Sequence, residues 1–229
     1  MRSCKLFGLA LTAALLASAL IGAGSASAVS ALCSAAPENK GGDLVCQAGT
    51  LFEEATVFGE NEKNVLFSTA IGNVECTKAS FTSLLVQIGK KATGPTGFSY
   101  GGTCTSTITG CGKVLSVTSV GGIESEAEYL QKAAPEGVLV LVEPSTMLEL
   151  ECGILTVQCV YGGNTGETAS GNIHNGEQKL KFVAGMKRVG KSTACPDKAT
   201  MIVNYNIKRL RGKIGKAEVG EGVVHVAKE

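Results

Sequence analysis

The sequence predicts an all-β fold, a single disulfide-stapled β-sandwich or barrel-like domain behind an N-terminal signal peptide. The 229-residue chain contains 30 glycines, 5% aromatic residues and no Trp, a composition typical of strands joined by tight turns. No stretch sustains the 3.6-residue apolar period of an amphipathic helix. Of the nine cysteines, eight follow the predicted leader. An even number of cysteines in an exported chain favours a full set of disulfides.

Residues 1–28 have the features of a secretory signal peptide. Two basic residues precede an apolar run from 6 to 21, and Ala26-Ser27-Ala28 forms a cleavage site of the A-x-A type. Cleavage is therefore expected before Val29, and it removes Cys4. The predicted localisation is secreted, or extracellular.

The charge beyond residue 28 is nearly balanced, with 19 Lys and Arg against 20 Asp and Glu. A net charge of −1 gives no overall field that would gather nucleic acid or an anionic membrane, so no nucleic-acid partner is predicted. No later apolar run reaches the roughly 20 residues of a spanning helix, and no transmembrane anchor is expected after signal removal. The scarcity of aromatic residues also disfavours a cleft that stacks sugars.

The chain after the leader is predicted to consist of an irregular N-terminal arm at 29–50 and a β-rich domain at 51–229. Glycine and proline mark the arm, and a loop is expected at 89–102, where Gly94-Pro95 and Gly101-Gly102 occur. About a dozen short strands are predicted from alternation and turn signals. They lie at 51–58, 65–67, 73–78, 80–88, 104–109, 113–119, 123–130, 137–142, 145–152, 154–161, 167–173, 177–183, 199–208 and 222–228.

The cysteine spacing contains two C-x6-C motifs. In an extended strand, residues seven apart are separated by about 23 Å and face opposite sides. A disulfide needs Cα atoms within about 7 Å, so each motif closes on itself only if its segment curls; the alternative is that the two motifs bridge each other. Eight cysteines allow 105 pairings. The favoured pairs are Cys33–Cys46, Cys76–Cys195, Cys104–Cys111 and Cys152–Cys159.

Metal and redox chemistry have no supporting motif in the sequence. A zinc site needs closely spaced cysteines or clustered histidines, and a redox pair needs C-x-x-C. Neither spacing occurs, and His174 and His225 lie far apart. No cofactor and no metal site are predicted.

Glu124, Glu126 and Glu128 alternate along one predicted strand and therefore share a face. A pair such as Glu124 and Glu126 could serve glycoside hydrolysis, and the row could hold calcium. The favoured interpretation is the solvated face of a half-buried strand, because the residues between them are mostly apolar. Glu149 and Glu151 repeat the pattern.

Serine-hydrolase chemistry lacks a recognisable constellation. There is no G-x-S-x-G elbow, and only His174, in a turn-rich stretch, and His225 are available as bases. His225 alternates with Val224 and Val226 and is expected to face outward from the last strand. No catalytic residue is predicted.

One basic cluster stands out, with glycines between its members. It consists of Lys208, Arg209, Arg211, Lys213 and Lys216. The charge of such a cluster suits an anionic cell-wall polymer, lipid headgroups or nucleic acid, but the cluster carries no interleaved aromatic residues for base stacking. A solvated hairpin is the favoured interpretation.

The order of short motifs resembles a group of secreted, disulfide-containing β-rich proteins of actinobacteria that has no established activity. The residues that carry the resemblance are Val74-Glu75-Cys76-Thr77, Cys104, Cys111, Cys159-Val160-Tyr161, Ala194-Cys195-Pro196 through Ala199, and Asn204-Tyr205. The resemblance implies a secreted, disulfide-stapled β protein and transfers no site residue.

Three functions remain open from the sequence. The leading hypothesis is a non-enzymatic secreted or cell-surface domain that binds a partner or serves as envelope structure. Its partner would be a cell-envelope polymer or another protein. The first alternative is an extracellular, glycosidase-like hydrolase that uses a carboxylate pair. The second is a secreted inhibitor or toxin-like module.

Overall fold

The computed structural model describes residues 30–120, 123–130, 136–142, 145–163, 168–173 and 178–228, and every regular element among them is a strand. The strands are β1 (Ser30–Cys33), β2 (Glu38–Lys40), β3 (Asp43–Val45), β4 (Glu54–Asn61), β5 (Val65–Thr69), β6 (Gly72–Ile88), β7 (Lys91–Ser106), β8 (Lys113–Val120), β9 (Ile123–Leu130), β10 (Glu136–Val142), β11 (Ser145–Cys152), β12 (Leu155–Gly163), β13 (Thr168–Ile173), β14 (Lys179–Arg188), β15 (Lys198–Ile214), β16 (Ala217–Val219) and β17 (His225–Lys228). The all-β prediction is confirmed. The predicted signal peptide lies outside the described residues.

The larger, 13-stranded sheet closes on itself. Four positions of the ring are each occupied by two consecutive strands. β4 and β5 both pair with β6 and β15, and β8 and β9 both pair with β7. β10 pairs with β9 and β13, whereas β11 pairs with β8 and β12, so β10/β11 and β12/β13 continue the same two lines. The ring then follows chain order as β4/β5, β6, β7, β8/β9, β10/β11, β12/β13, β14 and β15. β15 pairs with β4 and β5, the first position, and so completes an antiparallel, barrel-like ring.

The inside of the ring is filled by alternate side chains. Along β15, Ala199, Met201, Val203, Tyr205 and Ile207 are all buried, as period-two alternation requires. The aromatic residues fit because small residues face them. At Gly59, directly opposite Phe81 in the ladder, an added Cβ would lie 2.1 Å from the Phe81 ring. The interior is therefore a packed apolar core.

The ladder is interrupted between β4 and β5, and the side chain of Asn61 replaces the missing backbone bonds. Its Nδ2 donates to the carbonyl oxygens of Lys63 at 2.8 Å and Thr77 at 2.9 Å. Its Oδ1 accepts from the buried Ala79 N–H at 2.8 Å. A β-bulge lies opposite, between Cys76 and Lys78 of β6. One amide side chain thus satisfies three backbone groups that the ladder leaves unpaired.

A second sheet, ordered β1-β17-β3-β2 and called here the plug sheet, packs against one end of the ring. β1 and β17 contact β7, β9 and β10, and Ser30 N–H donates to Lys90 O at 3.0 Å. The segment 29–50, predicted to be an irregular arm, therefore contains three strands. β1 is buried along its whole length, because it pairs with β17 from the far end of the chain. That long-range pairing leaves no local sequence signal.

The opposite end, called here the disulfide end, carries the connections 70–71, 107–112, 153–154 and 189–197. Ile108 folds inward and is buried there. An added Cβ at Gly72 would lie 2.6 Å from Thr107 O, and Gly72 has φ of 139°, so glycine is required at this close approach.

Four disulfides join Cys33–Cys46, Cys76–Cys104, Cys111–Cys152 and Cys159–Cys195. The predicted Cys33–Cys46 pair is confirmed. The predicted pairs Cys76–Cys195, Cys104–Cys111 and Cys152–Cys159 are wrong. The alternative that the two C-x6-C motifs bridge each other holds for Cys111–Cys152 only, because Cys104 and Cys159 pair with cysteines outside the motifs.

The corrected pairs follow from strand register. Cys76 and Cys104 are direct partners across β6 and β7, and directly opposite residues in an antiparallel pair lie within disulfide reach. Lys113 pairs with Glu151, which brings the preceding Cys111 to Cys152. Three bridges therefore link neighbouring positions of the ring toward its disulfide end.

Two further expectations about strands are wrong. The predicted loop at 89–102 is the first part of β7 apart from a two-residue turn, and the strands predicted at 73–78 and 80–88 are one continuous strand, β6. Gly94 is needed within the strand because the backbone of Leu84 approaches it closely. An added Cβ at Gly94 would lie 1.7 Å from Leu84 O. Among the described residues, no helix is long and apolar enough to cross a bilayer.

Replacing Asn61 with Ala should lower the free energy of unfolding by about 1–3 kcal/mol, because the buried Ala79 N–H loses its acceptor. Urea denaturation of the oxidised protein measures the change. Asn206→Ala on the exposed side of β15 is the matched control and should change it by less than about 0.5 kcal/mol. Equal effects of the two substitutions would contradict the bridging role of Asn61.

Candidate functional site

The glutamate row of β9 lies on the outer surface as far as its side chains are described. Ser125 and Ala127 are buried, at 1% and 0% exposure, and Glu126 between them faces outward. Its carboxylate forms an ion pair with Lys91 at 2.5 Å. Glu124 and Glu128 belong to β9, but their side chains lie outside the described part of the structure. The predicted alternation is thus confirmed at 125–127.

Glu149 and Glu151 occupy the outer face of β11, and Leu148 and Leu150 are buried on the other face as predicted. Glu149 accepts hydrogen bonds from Ser116 Oγ and Gln158 Nε2, each at 3.0 Å. Glu151 pairs with Lys113 at 3.0 Å. Each carboxylate is therefore engaged by a residue of a neighbouring strand, which is a surface network rather than a catalytic pair.

Of the two histidines, His174 lies outside the described residues. His225 is buried at 6% exposure, so the expectation that it faces outward is wrong. It pairs with Cys33 across β1 and β17, and both faces of β17 are covered, one of them by the ring. Burial lowers the pKa of His225, and its Nδ1 has no hydrogen-bond partner among the described residues.

The basic cluster does not form one solvated surface, because Arg209 is buried at 5% exposure. Its Nε donates to Gly220 O at 2.9 Å and its Nη1 to Val223 O at 3.0 Å, while the guanidinium lies 4.8 Å from the Phe52 ring centroid. Burial lowers the pKa of Arg209. Arg209 thus attaches residues 220–223 to the ring.

The other members of the cluster are exposed, as the hairpin interpretation predicts. Lys208 pairs with Glu221 at 2.5 Å, and Arg211 Nε donates to Thr56 Oγ1 at 3.2 Å. The cluster therefore offers fewer free cations than its sequence indicates.

Three of the four tyrosines face the interior, and the side chain of Tyr129 is not among those described. Tyr205 and Tyr161 are buried, and Tyr100 packs against the core with its ring 5.5 Å from that of Phe67. The tyrosines therefore provide no external stacking surface within the described part of the chain.

A depression of about 560 Å³ lies in the described surface beside the interruption between β4 and β5. We call it the β4–β5 groove. Its lining combines two aliphatic, two amide and two charged side chains: Leu66, Ile202, Asn64, Asn204, Lys63 and Glu75.

The polar groups of the groove are unequally engaged. Glu75 Oε1 accepts from Asn64 Nδ2 at 2.8 Å, which orients the carboxylate. The ammonium of Lys63 has no ion-pair partner among the described residues, and the side chain of Asn204 makes no hydrogen bond with them. The groove thus combines aliphatic side chains with a few polar and charged groups that a ligand could contact.

Sequence reasoning missed the groove because β15, which supplies Ile202 and Asn204, is far along the chain from the segment 63–75 that supplies the other lining residues. The charged segment Gly59-Glu60-Asn61-Glu62 gives no usable signal, because three of its residues belong to β4 and the break in the wall falls at 62–64. The sequence also did not indicate that β5 continues the line of β4 between β6 and β15. The break between β4 and β5 therefore leaves a gap in the wall of the ring.

Within the residues that the structure describes, no group of three or more His, Cys, Asp and Glu is placed to hold a metal ion. Comparison with protein-family models, curated proteins and solved structures finds no match. Function is therefore inferred from the geometry of the chain itself.

The buried His225 should make stability depend on pH. Because its folded-state pKa is lowered, the unfolded chain binds the proton more readily, and the free energy of unfolding should fall as pH drops below about 6.5. His225→Leu should remove that part of the slope, which chemical denaturation at a series of pH values measures. His174 is present in both proteins, so its titration cancels. Identical slopes between about pH 7 and 5.5 would contradict the prediction.

Proposed function

We propose that this protein is a secreted, non-enzymatic binding module that holds a polar, extended ligand in the β4–β5 groove. The observation that carries the proposal is the groove's composition: a Lys63 ammonium without an ion-pair partner among the described residues and an oriented Glu75 carboxylate share one depression with Leu66 and Ile202. Opposite charges on one surface favour a ligand that carries both acidic and basic groups. A peptide segment meets this requirement, either in a cell-envelope polymer or in another exported protein.

Export is supported by two features of the chain. Four disulfides indicate an oxidising environment. The first described strand begins at Ser30, one residue after the expected cleavage point, so the mature chain would enter the plug sheet almost at its start. The resemblance to secreted actinobacterial proteins agrees with this assignment and remains a prediction.

A rigid wall suits a binding module. The groove is bordered by β5 and by β6 and β15, which pair with β5 on its two sides, and the Cys76–Cys104 bridge lies next to Glu75. Side chains on paired strands are held in place before a ligand arrives, which reduces the entropy lost on binding.

The hydrolase alternative receives no support from the described carboxylates. Glu126 is neutralised by Lys91, and Glu149 and Glu151 are engaged across strands. Glycoside hydrolysis needs two carboxylates that face a common substrate, whereas each of these carboxylates contacts a side chain of a neighbouring strand. The inhibitor alternative is supported by no feature of the described residues.

Binding should be detectable by co-sedimentation of the oxidised protein with the insoluble cell-envelope fraction of the source bacterium. Lys63→Gln and Glu75→Gln should each weaken saturable binding about two- to fivefold, the range expected for a single exposed charge. Lys216→Gln is the matched control, since Lys216 is an equally exposed lysine in the β15–β16 turn, away from the groove.

Two results would contradict the proposal. Saturable binding that neither groove substitution affects would remove the groove as the site. Release of soluble fragments from the envelope fraction by the wild-type protein, lost in Glu126→Gln, would instead favour the hydrolase.

A further inference from the structure

Two tight turns at the disulfide end depart from ordinary turn chemistry. The β5–β6 turn is Ala70-Ile71 and the β11–β12 turn is Gly153-Ile154, so each has isoleucine at its second position. Two-residue turns between antiparallel strands favour Gly, Asn and Asp. The comparable turns at the opposite end of the ring follow a polar pattern, with Gly89-Lys90 between β6 and β7 and Gly215-Lys216 between β15 and β16. Turn geometry therefore does not account for the two isoleucines.

The isoleucines belong to a larger set of exposed aliphatic residues at this end. Ile154 is 100% exposed, Leu155 after it is 64% exposed, and Val189 in the 189–197 connection is 60% exposed. Ile71 is exposed as well. We call these four residues the apolar rim. Single exposed aliphatic residues are common on proteins, whereas their concentration at one end indicates an interaction surface.

The connections that carry the rim are held in place by cross-links. The Cys111–Cys152 bridge directly precedes the Gly153-Ile154 turn. In the 189–197 connection, Arg188 Nη1 donates to Ser192 O at 2.6 Å and to Cys195 O at 2.7 Å, and Cys195 is bonded to Cys159. The rim therefore presents its side chains to solvent on a fixed scaffold, which reduces the entropy lost on binding.

Three lysines directly behind the rim give it a local positive charge. Lys187, Lys191 and Lys198 are exposed, and none of them has an ion-pair partner within the described part of the chain. Lys187 lies directly opposite Lys198 across β14 and β15, a like-charge pair that destabilises a ladder unless an anion compensates it. The nearby Asp197 is bound to Arg188 at 2.6 Å and leaves the three lysines uncompensated.

From these contacts we infer that the apolar rim docks this protein on the surface of an anionic lipid bilayer. Apolar groups of interfacial proteins enter the boundary between headgroups and acyl chains by about 5–10 Å, and cations behind them meet the anionic headgroups. Lys187 precedes Val189 by two residues, a separation of at most about 7 Å, which suits this arrangement.

A bilayer fits the rim better than a protein partner does. Its aliphatic side chains project from separate turns around the end of the ring, and a fluid interface can surround each of them. The rim is distinct from the β4–β5 groove, and the inference does not depend on the proposed function.

Flotation of the oxidised protein with vesicles of phosphatidylglycerol and phosphatidylcholine tests the inference. Ile154→Ser should weaken saturable vesicle binding about tenfold, because the bilayer no longer buries the side chain. Its Tm should be unchanged, since Ile154 is fully exposed. Ile88→Ser is the matched control, because Ile88 is 66% exposed in a strand end at the opposite end of the ring, and it should not alter binding.

The lysines are tested on the same vesicles. Lys187→Gln and Lys198→Gln should each weaken binding about fivefold, and neither should affect binding to vesicles of phosphatidylcholine alone. Lys216→Gln, in a turn at the opposite end, is the matched control and should have no effect.

Three results would overturn the inference. The first is no binding to the anionic vesicles. The second is equal loss of binding in Ile154→Ser and Ile88→Ser. The third is a concentration-dependent dimer without vesicle binding that Ile154→Ser abolishes, which would show that a second copy of the chain covers the rim.

Discussion

Backbone pairing between β15 and the line formed by β4 and β5 is the interaction on which the rest of the molecule depends. It joins the last long strand to the first and turns a meander into a closed ring. Without it, both strands would present long rows of unpaired N–H and C=O groups, and the aromatic interior would open to water. Closure over so large a sequence separation costs chain entropy, which explains the value of cross-links elsewhere in the ring.

The disulfides stabilise the ring that backbone pairing closes. Cys76–Cys104, Cys111–Cys152 and Cys159–Cys195 connect successive parts of the ring, and Cys33–Cys46 holds the plug sheet. On the chain-entropy account each contributes about 3–4 kcal/mol, so the four are of similar importance. The Cys76–Cys195 pair expected from the sequence would instead have closed a loop of about 120 residues and contributed about 5 kcal/mol on the same account.

The fold class was predictable from the sequence because alternation is local. Glu126 between Ser125 and Ala127, and Glu149 between Leu148 and Leu150, have the orientations that period two assigns to them. Pairing and burial set by distant segments were not predictable. His225 is buried because β1 and the ring cover it, and three cysteine pairs were misassigned because register depends on closure.

The loop predicted at 89–102 from glycine and proline was wrong for a related reason. In β7, Gly94 permits close contact with Leu84, and Gly102, with φ of 70°, lies over Thr77 at the bulge of β6. Both residues bend or crowd a continuous strand rather than ending it. The bulge of β6 lies opposite the break between β4 and β5 that Asn61 bridges. The groove and the bulge therefore arise from the same irregular part of the ring. Local sequence patterns therefore could not predict the β4–β5 groove.

The closed ring is tested most directly by NMR measurement of amide exchange and cross-strand contacts in the oxidised protein. Ring closure predicts an NOE between Ile207 of β15 and Gly59 of β4, with β15 amides exchanging only through global unfolding. Rapid exchange along β15, as in an edge strand, together with no NOE to β4, would show that the sheet is open and would contradict the account.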